Sequence, residues 1–334
     1  MAESGLIRAG PESPTIAPGR LVEGYRRRMS SHQRRARLSG LLAVAVLALT
    51  LPGTGSGAAA PVAQARPAVA SAPAAAAVPW TYRTLLAGGV RQWIACAGSG
   101  PVTVVVIAGL HADHRMWRLV LTPFANTTRT CIYDRPGLGA SPARSPHTTV
   151  EAGRHARELG ALLATANVHG PLVVVGHSYG GLVARAFVAR YPTRVAGLVL
   201  VEGVAPYDRL SHYWSEGGDR VDTWRSSAAA SLMRLGSVPL VVLSAQDPDR
   251  SYWGGPAYGG SATDIADWKA HQRAAAALST RSTFVIVRHS AHVIEHDRPD
   301  AVIAGVRLLV HAIVTKTPLP RCALGSYGAQ PLCP

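Results

Sequence analysis

The sequence predicts an α/β fold, in which a mostly parallel sheet carries helices on both faces. From Trp80 onward, short β-branched apolar runs alternate with helical stretches, a pattern typical of βαβ units. One such run, Pro171–Val175, passes directly into a Gly-x-Ser-x-Gly pattern that is followed by a helical stretch. A chain of about 250 residues suffices for one such domain with a single core. Residues 81–334 are therefore predicted to form that domain.

The elements are assigned in chain order from clusters of β-branched residues and from helical periodicity. Residues 202–237 fit no strand, and we interpret residues 205–236 as a small helical cap above the ligand-binding edge of the sheet. The predicted strands are Val102–Ala108, Thr130–Tyr133, Pro171–Val175, Val195–Val201, Val238–Ser244 and Thr283–Val287, and the predicted helices are Val150–Val168, Gly180–Arg190 and Pro299–Val314.

Ser178 is the candidate nucleophile. It stands at the centre of Gly176-His-Ser-Tyr-Gly180, where a buried strand is predicted to turn sharply into a helix. Such a turn holds the serine in a strained backbone with its hydroxyl exposed, and the two glycines keep side chains out of the crowded turn. The positive end of the following helix faces any charge that develops beside the hydroxyl. This placement between strand and helix separates the match from a chance pattern in a glycine-rich chain.

A serine hydroxyl needs a base to remove its proton, and the base needs a carboxylate to orient it. His292 and Asp247 each follow a later predicted strand. The order Ser178, Asp247, His292 is the one expected for a hydrolase with this kind of strand-to-helix turn. Alternatives remain open: Asp249 and, more distantly, Glu202 compete with Asp247, whereas His289 and His296 compete with His292.

Acyl transfer also requires two donors for the oxyanion that develops on the substrate. The backbone N–H of Tyr179, directly after the serine, is one candidate. The other is the N–H of Leu110, in the loop after the strand Val102–Ala108, where Gly109 permits a tight turn.

These motifs together resemble the α/β-hydrolase superfamily over nearly all of residues 82–315. The resemblance implies a mostly parallel eight-stranded sheet and the site residues named above. It also implies that a strand of about Gln92–Cys96 runs antiparallel beside the strand that starts at Thr130, which brings Cys96 next to Cys131. The landmarks are Ala108-Gly-Leu110 with Trp117, Tyr133-Asp-Arg-Pro-Gly-Leu-Gly139 with Ser141, Gly176-His-Ser-Tyr-Gly-Gly181, and Ser290-Ala-His292 with Asp297-Arg-Pro299.

Residues 1–60 are predicted to be a secretory signal with an extended basic start. Arginines at 26–37 precede the apolar run Leu41–Leu51 and small-residue cleavage candidates. The apolar run is too short to span a bilayer comfortably, and Arg34-Arg35 also fits twin-arginine export. Residues 61–80 are Ala/Pro-rich and are predicted to be a linker. We therefore expect a secreted protein with no stable membrane insertion after signal cleavage.

Four cysteines in an exported chain indicate two disulfides. Cys322 paired with Cys333 would close a short C-terminal tail, and Cys96 paired with Cys131 would form the second bridge. Free thiols are the alternative. The strand order implied by the resemblance independently supports the Cys96–Cys131 pairing.

The chain is strongly basic, with a formal net charge of +15. Residues 1–60 hold eight Arg and three Glu, which leaves a processed chain of about +10. The remaining arginines are scattered, so a cationic surface is favoured over nucleic-acid binding. No Cys/His spacing resembles a zinc site, and the nearby His111, Asp113 and His114 are interpreted as a solvated loop. We expect neither a metal nor a cofactor.

The function that these observations favour is hydrolysis of small-molecule carboxylic esters through an acyl-Ser178 intermediate. One alternative is amide or peptide cleavage by an aminopeptidase-like enzyme, with Glu216 and Asp219 as candidate amine-binding groups. A cofactor-free perhydrolase on the same fold is another. From a different class, a catalytically silent binding module remains open. Relatives with an aspartate nucleophile are disfavoured because Ser178 occupies the turn.

Overall fold

The computed structural model describes residues 78–206, 212–247 and 262–320. Outside these ranges lie the predicted signal, residues 61–77 of the predicted linker, Asp249, and the pair Cys322 and Cys333. The strands are β1 (Trp80–Ala87), β2 (Val90–Ala97), β3 (Thr103–Ile107), β4 (Arg129–Tyr133), β5 (Thr149–Val150), β6 (Leu172–His177), β7 (Val195–Val201), β8 (Tyr213–Glu216), β9 (Asp219–Asp222), β10 (Leu240–Ala245) and β11 (Ser282–Val287).

The helices connect these strands and cover the sheet. Two short 3-10 turns, His114–Trp117 and Pro192–Arg194, precede α1 and β7. The helices are α1 (Arg118–Ala125), α2 (Ala152–Thr165), α3 (Tyr179–Arg190), α4 (Thr223–Ser231), α5 (Ala262–Ala276), α6 (Ile294–Asp297) and α7 (Pro299–Thr315).

The central sheet has eight strands in the order β1-β2-β4-β3-β6-β7-β10-β11. The pairs β1–β2 and β2–β4 are antiparallel, and the remaining neighbours are parallel. This is the predicted mostly parallel eight-stranded sheet. The chain runs outward from β3 to β4 and then returns to place β6 on the other side of β3, so a crevice opens at the carboxyl ends of β3 and β6.

Apolar residues on the central strands alternate between two cores, one on each face of the sheet. In β3, Val105 and Ile107 pack with the apolar sides of α2 and α3, whereas Val104 and Val106 pack with α1 and α7. Strands covered on both faces read as continuous apolar runs, and this is why β3, β6, β7 and β10 could be recognised in the sequence.

The prediction that residues 202–237 contain no strand is wrong. β8 and β9 form an antiparallel hairpin, and β9 also pairs with β5 in a separate three-stranded sheet. Gly217 and Gly218 join the two strands with φ of 59° and 93°. Positive φ at both central residues defines the two-residue hairpin turn that glycine favours. The cap region is therefore a hairpin followed by α4 rather than helices alone.

The Cys96–Cys131 disulfide is present, as predicted. These two residues are directly opposite each other in the β2–β4 register. The bridge spans 35 residues of sequence, and a loop of that length corresponds to a stabilisation of about 4 kcal/mol in the chain-entropy account.

Within the described ranges, no helix has both the length and the apolar composition needed to cross a membrane.

Candidate active site

Ser178 lies at the sharp turn between β6 and α3. Its backbone has φ 51° and ψ −123°, a conformation that costs a non-glycine residue about 1–3 kcal/mol. The turn is held at the end of β7, because Ser178 N–H donates to Val201 O at 3.2 Å and Ser178 O accepts from Val204 N–H at 3.0 Å. A Cβ on Gly180 would overlap Ile107 O. The surrounding backbone therefore forces the strained conformation and leaves no room for a side chain there.

His292 reaches Ser178 from the loop between β11 and α6. Its Nε2 lies 2.9 Å from Ser178 Oγ, so the predicted contact between these two side chains is present. The ring is largely buried, with 8% of the residue exposed. The two alternatives do not take this place: His289 is exposed, and His296 lies 3.2 Å from Asp297.

Glu202 supplies the carboxylate on the far side of the imidazole. It directly follows β7, is fully buried and adopts a φ of 45°. Its Oε1 accepts a hydrogen bond from Ala245 N–H, and its Oε2 accepts one from Trp268 Nε1–H at 2.6 Å. The same Oε2 lies 3.6 Å from His292 Nδ1. This distance suits an ion pair with a protonated imidazole but exceeds a hydrogen bond, and catalytic contacts often tighten only when substrate binds.

The structure moves the acid assignment from Asp247 to Glu202. The Asp247 side chain is exposed, and its backbone N–H donates to Ser290 O at 3.3 Å, so Asp247 supports the loop before His292 rather than the imidazole. In the sequence, both Asp247 and Glu202 stand between Ser178 and His292, so the chain order serine, acid, histidine does not distinguish them. The ends of β6 and β7 are neighbours in the sheet, however, and a carboxylate at the end of β7 therefore starts close to Ser178.

Tyr179 and the loop that carries Leu110, the two predicted sources of oxyanion donors, both adjoin Ser178. Tyr179 is the first residue of α3, so its N–H has no acceptor within the helix. Gly109 packs closely on Ser178, since a Cβ at Gly109 would lie 3.2 Å from Ser178 Cβ. Leu110 follows Gly109 in this loop. The loop after β3 and the start of α3 thus frame the position that a substrate oxygen would occupy.

A buried ion pair that sequence reasoning missed holds the loop after β3. Arg135 donates to Ala108 O and Gly109 O, each at 2.6 Å. It also donates to both oxygens of Glu216, each at 2.7 Å. Glu216 Oε1 in turn accepts from His111 N–H at 2.8 Å. Burial alone would raise the pKa of Glu216, but the Arg135 guanidinium outweighs it and lowers that pKa. The pair therefore stays charged and clamps the loop that carries Leu110.

We expect the Glu216→Ala variant to lose both stability and turnover. Removing one partner of a buried ion pair costs about 3–5 kcal/mol of unfolding free energy. Loosening an oxyanion donor should lower kcat by up to about 100-fold, with KM nearly unchanged. Denaturant melts and steady-state kinetics measure the two effects separately.

A double variant separates positioning from stability. Arg135→Met with Glu216→Leu replaces the pair by apolar side chains, which should restore most of the stability while kcat stays low. The matched control is Asp219→Ala, since Asp219 forms a second buried pair with Arg144 on the same hairpin at 2.9 Å. That control should lose stability and keep kcat. Recovery of kcat in the double variant would refute the clamp.

The remaining polar candidates have structural partners. Glu216 and Asp219, the suggested amine-binding groups, are each only 3% exposed and are held by Arg135 and Arg144. The side chains of the sequence cluster at 111–114 have separate partners: Asp113 pairs with Arg115, and His114 lies 2.7 Å from Asp134. Over the described parts of the chain, no group of three metal-ligating side chains comes together.

Comparison with known proteins agrees with this architecture. A family profile described as the alpha/beta hydrolase fold matches residues 102–234. The uncharacterized protein YqjL of Bacillus subtilis is 24% identical over 219 residues, which cover 61% of this chain and 82% of YqjL. Lipase LipV of Mycobacterium tuberculosis is 38% identical over 110 residues, or 33% of this chain and 40% of LipV. An AB hydrolase superfamily protein of Gibberella zeae is 37% identical over 108 residues, or 30% of this chain and 32% of that protein. The chain thus spans less than half the length of the last two relatives.

Solved structures show the same fold at low sequence identity. A thermophilic esterase from Thermogutta terrifontis superposes with a TM-score of 0.53 at 17% identity, covering 70% of this chain and 99% of the esterase. The epoxide hydrolase CorEH superposes with a TM-score of 0.50 at 14% identity, covering 70% of this chain and all of that one. The fold and the sequence match confirm the superfamily resemblance: the chain is an α/β-hydrolase-fold protein. Its relatives support a hydrolytic enzyme, but the fold alone does not define the substrate.

Proposed function

We propose that this protein hydrolyses carboxylic esters of small molecules, with Ser178 as nucleophile, His292 as general base and Glu202 as the orienting acid. The observation that carries the proposal is the 2.9 Å contact between His292 Nε2 and Ser178 Oγ at a strained strand-to-helix turn. The relatives named as a lipase and an esterase support ester substrates.

Acylation begins when Ser178 Oγ attacks the ester carbonyl carbon. His292 Nε2 takes the hydroxyl proton, and Glu202 stabilises the positive imidazolium across the ring. The carbonyl oxygen becomes an oxyanion, to which the N–H groups of Leu110 and Tyr179 donate. When the tetrahedral intermediate collapses, the bond to the leaving alkoxide breaks and His292 returns the proton to it. The product of this half-reaction is an alcohol and an acyl-Ser178.

Deacylation repeats these chemical steps with water as the nucleophile. His292 removes a proton from the water as its oxygen attacks the acyl carbon, and the oxyanion forms again between the same donors. Collapse breaks the bond to Ser178 Oγ, which takes the proton back from His292. The carboxylic acid leaves and the enzyme regains its starting state, so the cycle consumes one water and needs no other reactant.

Amide or peptide cleavage is the weaker proposal. An aminopeptidase needs an acidic group free to bind the substrate amine, whereas the two carboxylates suggested for that role are buried against arginines. A silent binding module is also disfavoured, because such a protein would have no need to maintain a strained serine against a histidine. A perhydrolase uses the same site, and the geometry does not favour it over ester hydrolysis.

We also propose that the protein is exported. Residues 26–65 contain a basic stretch, then an apolar run, then small residues, which is the order of a secretory signal peptide. The Cys96–Cys131 bridge suits an oxidising compartment. Recovery of a shortened chain from the culture medium, measured by intact mass, tests this. A full-length chain retained in the cytoplasm would contradict it.

The test of function compares esters with amides on the full chain. We expect turnover of p-nitrophenyl esters of increasing acyl length, and no comparable turnover of aminoacyl p-nitroanilides. A fluorophosphonate probe should label the peptide that contains Ser178, as read by mass spectrometry. Amide turnover without ester turnover would favour the peptidase, and absence of both labelling and turnover would favour the binding module.

A further inference from the structure

A second histidine lies directly beside His292 and contacts the segments on both sides of it. His177 immediately precedes Ser178, and its ring centroid is 4.9 Å from that of His292. His177 Nε2 lies 3.0 Å from the backbone carbonyl oxygen of His292. The other ring nitrogen, Nδ1, lies 3.1 Å from Glu295 Oε1. His177 therefore connects the turn that carries Ser178 to the loop that carries His292 and to the start of α6.

Hydrogen-bond chemistry fixes where the protons lie in this chain of contacts. A backbone carbonyl only accepts, so His177 Nε2 must carry a proton to bond His292 O. In a neutral ring, Nδ1 then holds a lone pair and requires a donor. Within the described residues, His177 Nδ1 and both carboxyl oxygens of Glu295 are buried without a hydrogen-bond partner, although Nδ1 and Oε1 lie 3.1 Å apart. The contact between them is satisfied only if the Glu295 carboxyl is protonated and donates.

The surroundings favour these neutral forms. Glu295 is fully buried, and burial raises its pKa to about 8, with the negative charge of Asp297 acting in the same direction. Burial also lowers the pKa of His177 to about 3, helped by the neighbouring His292. Both shifts disfavour an ion pair of carboxylate and imidazolium at neutral pH.

Among the described residues, the basic groups on the elements packed against Glu295 either pair with other carboxylates or are exposed. The 3-10 turn at 114–117 directs His114 to Asp134 and Arg115 to Asp113. Arg118, at the start of α1, is exposed. At the start of α7, Arg298 pairs with Asp300. In the described part of the chain, the titratable groups closest to this carboxyl are thus Asp297, through its charge, and His177, through the 3.1 Å contact, and His292 acts on His177.

We propose that Glu295 is a positioning residue, which as a neutral carboxylic acid donates to His177 and through His177 fixes the loop that holds His292 against Ser178. Ionisation of Glu295 removes the donor. The imidazole of His177 then satisfies the carboxylate by carrying its proton on Nδ1, which turns a lone pair on Nε2 toward the His292 carbonyl. Two acceptors then face each other, the contact is lost and His292 shifts from Ser178. This inference rests on the proposed function, because it is read out through Ser178.

The test is the pH dependence of kcat/KM for a p-nitrophenyl ester and of the rate of Ser178 labelling by a fluorophosphonate. In the wild-type protein, kcat/KM and the labelling rate should both fall above pH 8. One pH unit above that value, about a tenth of Glu295 remains protonated, so both should be about tenfold lower. Glu295→Gln keeps a donor at every pH, so the variant should match wild type at pH 7 and lose the alkaline fall. Glu295→Leu has no donor and should be about tenfold slower at pH 7.

Asp297→Asn provides the matched variant. It keeps an oxygen for the bond from Ala291 N–H but removes the charge that raises the pKa of Glu295, so the alkaline fall should move to lower pH. An unchanged fall in Glu295→Gln, or no movement in Asp297→Asn, would overturn the proposal. If Glu295→Gln does not fold, ¹³C NMR of the wild-type carboxyls decides: every glutamate ionised below pH 6 would refute it. A wild-type protein that neither labels nor turns over esters would instead contradict the proposed function.

Discussion

Replacing Ser178 by alanine should reduce kcat by about a millionfold, with the fold intact. The remaining rate should still exceed the uncatalysed rate in water by about 10³–10⁴-fold, because the oxyanion donors and substrate binding are unchanged. His292→Ala should fall to the same level, and the Ser178→Ala/His292→Ala double variant should be no slower than either. Such non-additivity is expected when two groups act as one unit. Steady-state kinetics with the best ester of the acyl series measures all three.

The strained backbone at Ser178 adds a stability readout. Its φ of 51° costs about 1–3 kcal/mol in a residue with a Cβ, and glycine escapes that cost while losing about 1 kcal/mol through the entropy of the unfolded chain. Ser178→Gly should therefore be inactive yet about 1 kcal/mol more stable than Ser178→Ala. Ser231→Ala, on α4, should leave activity unchanged. A glycine variant about 1 kcal/mol less stable than the alanine variant would show that the turn is not strained, since only the entropy cost of glycine would then remain.

The central sheet could be predicted because burial on both faces leaves a clear record in the sequence. β3, β6 and β7 are fully or almost fully buried runs of mostly apolar residues, and each predicted strand agrees with the structure within a residue or two. β1 was not recognised, because it is an edge strand whose side chains at 81–84 are all exposed, so no apolar pattern marks it. The adjacent glycines at 217 and 218 were a readable hairpin signal, but the strands they join are short and carry Glu216, Asp219 and Asp222.

The site residues could be predicted where a local sequence motif marks them. They could not be predicted where only packing in the folded protein brings them together. Ser178 and His292 each follow a strand that the sequence predicts. Arg135 and Glu216 are 81 residues apart in sequence, and nothing local in either segment indicates that they meet. Glu202 has a signal, a single acidic residue directly after an apolar strand, but Asp247 also follows a strand, and the chain order serine, acid, histidine fits both. Sheet adjacency of β6 and β7 was the information that the order did not contain.

The acid assignment is open to a direct test, because glutamine in place of Glu202 keeps the shape and inverts the hydrogen bonding. The Glu202 carboxylate accepts from Ala245 N–H and from Trp268 Nε1–H, and it faces His292 Nδ1 at 3.6 Å. A glutamine amide has one oxygen for these groups. Its NH₂ group must therefore face either Ala245 N–H or both Trp268 and His292, because the last two contact the same oxygen of Glu202. If it faces His292, the imidazole holds its proton on Nε2 and cannot accept one from Ser178. We expect Glu202→Gln to reduce kcat by about 10⁴-fold, with little change in KM.

Asp247→Asn is the control that decides between the two carboxylates. The Asp247 side chain is exposed, and its link to the His292 loop runs through its backbone N–H, which asparagine retains. We therefore expect kcat within about twofold of wild type, since a surface substitution of this kind changes stability by less than about 0.5 kcal/mol. A thermal melt of each variant establishes that it is folded. The opposite pattern, an active Glu202→Gln and an inactive Asp247→Asn, would return the role to Asp247 and would mean that Glu202 serves only to join β7, β10 and α5.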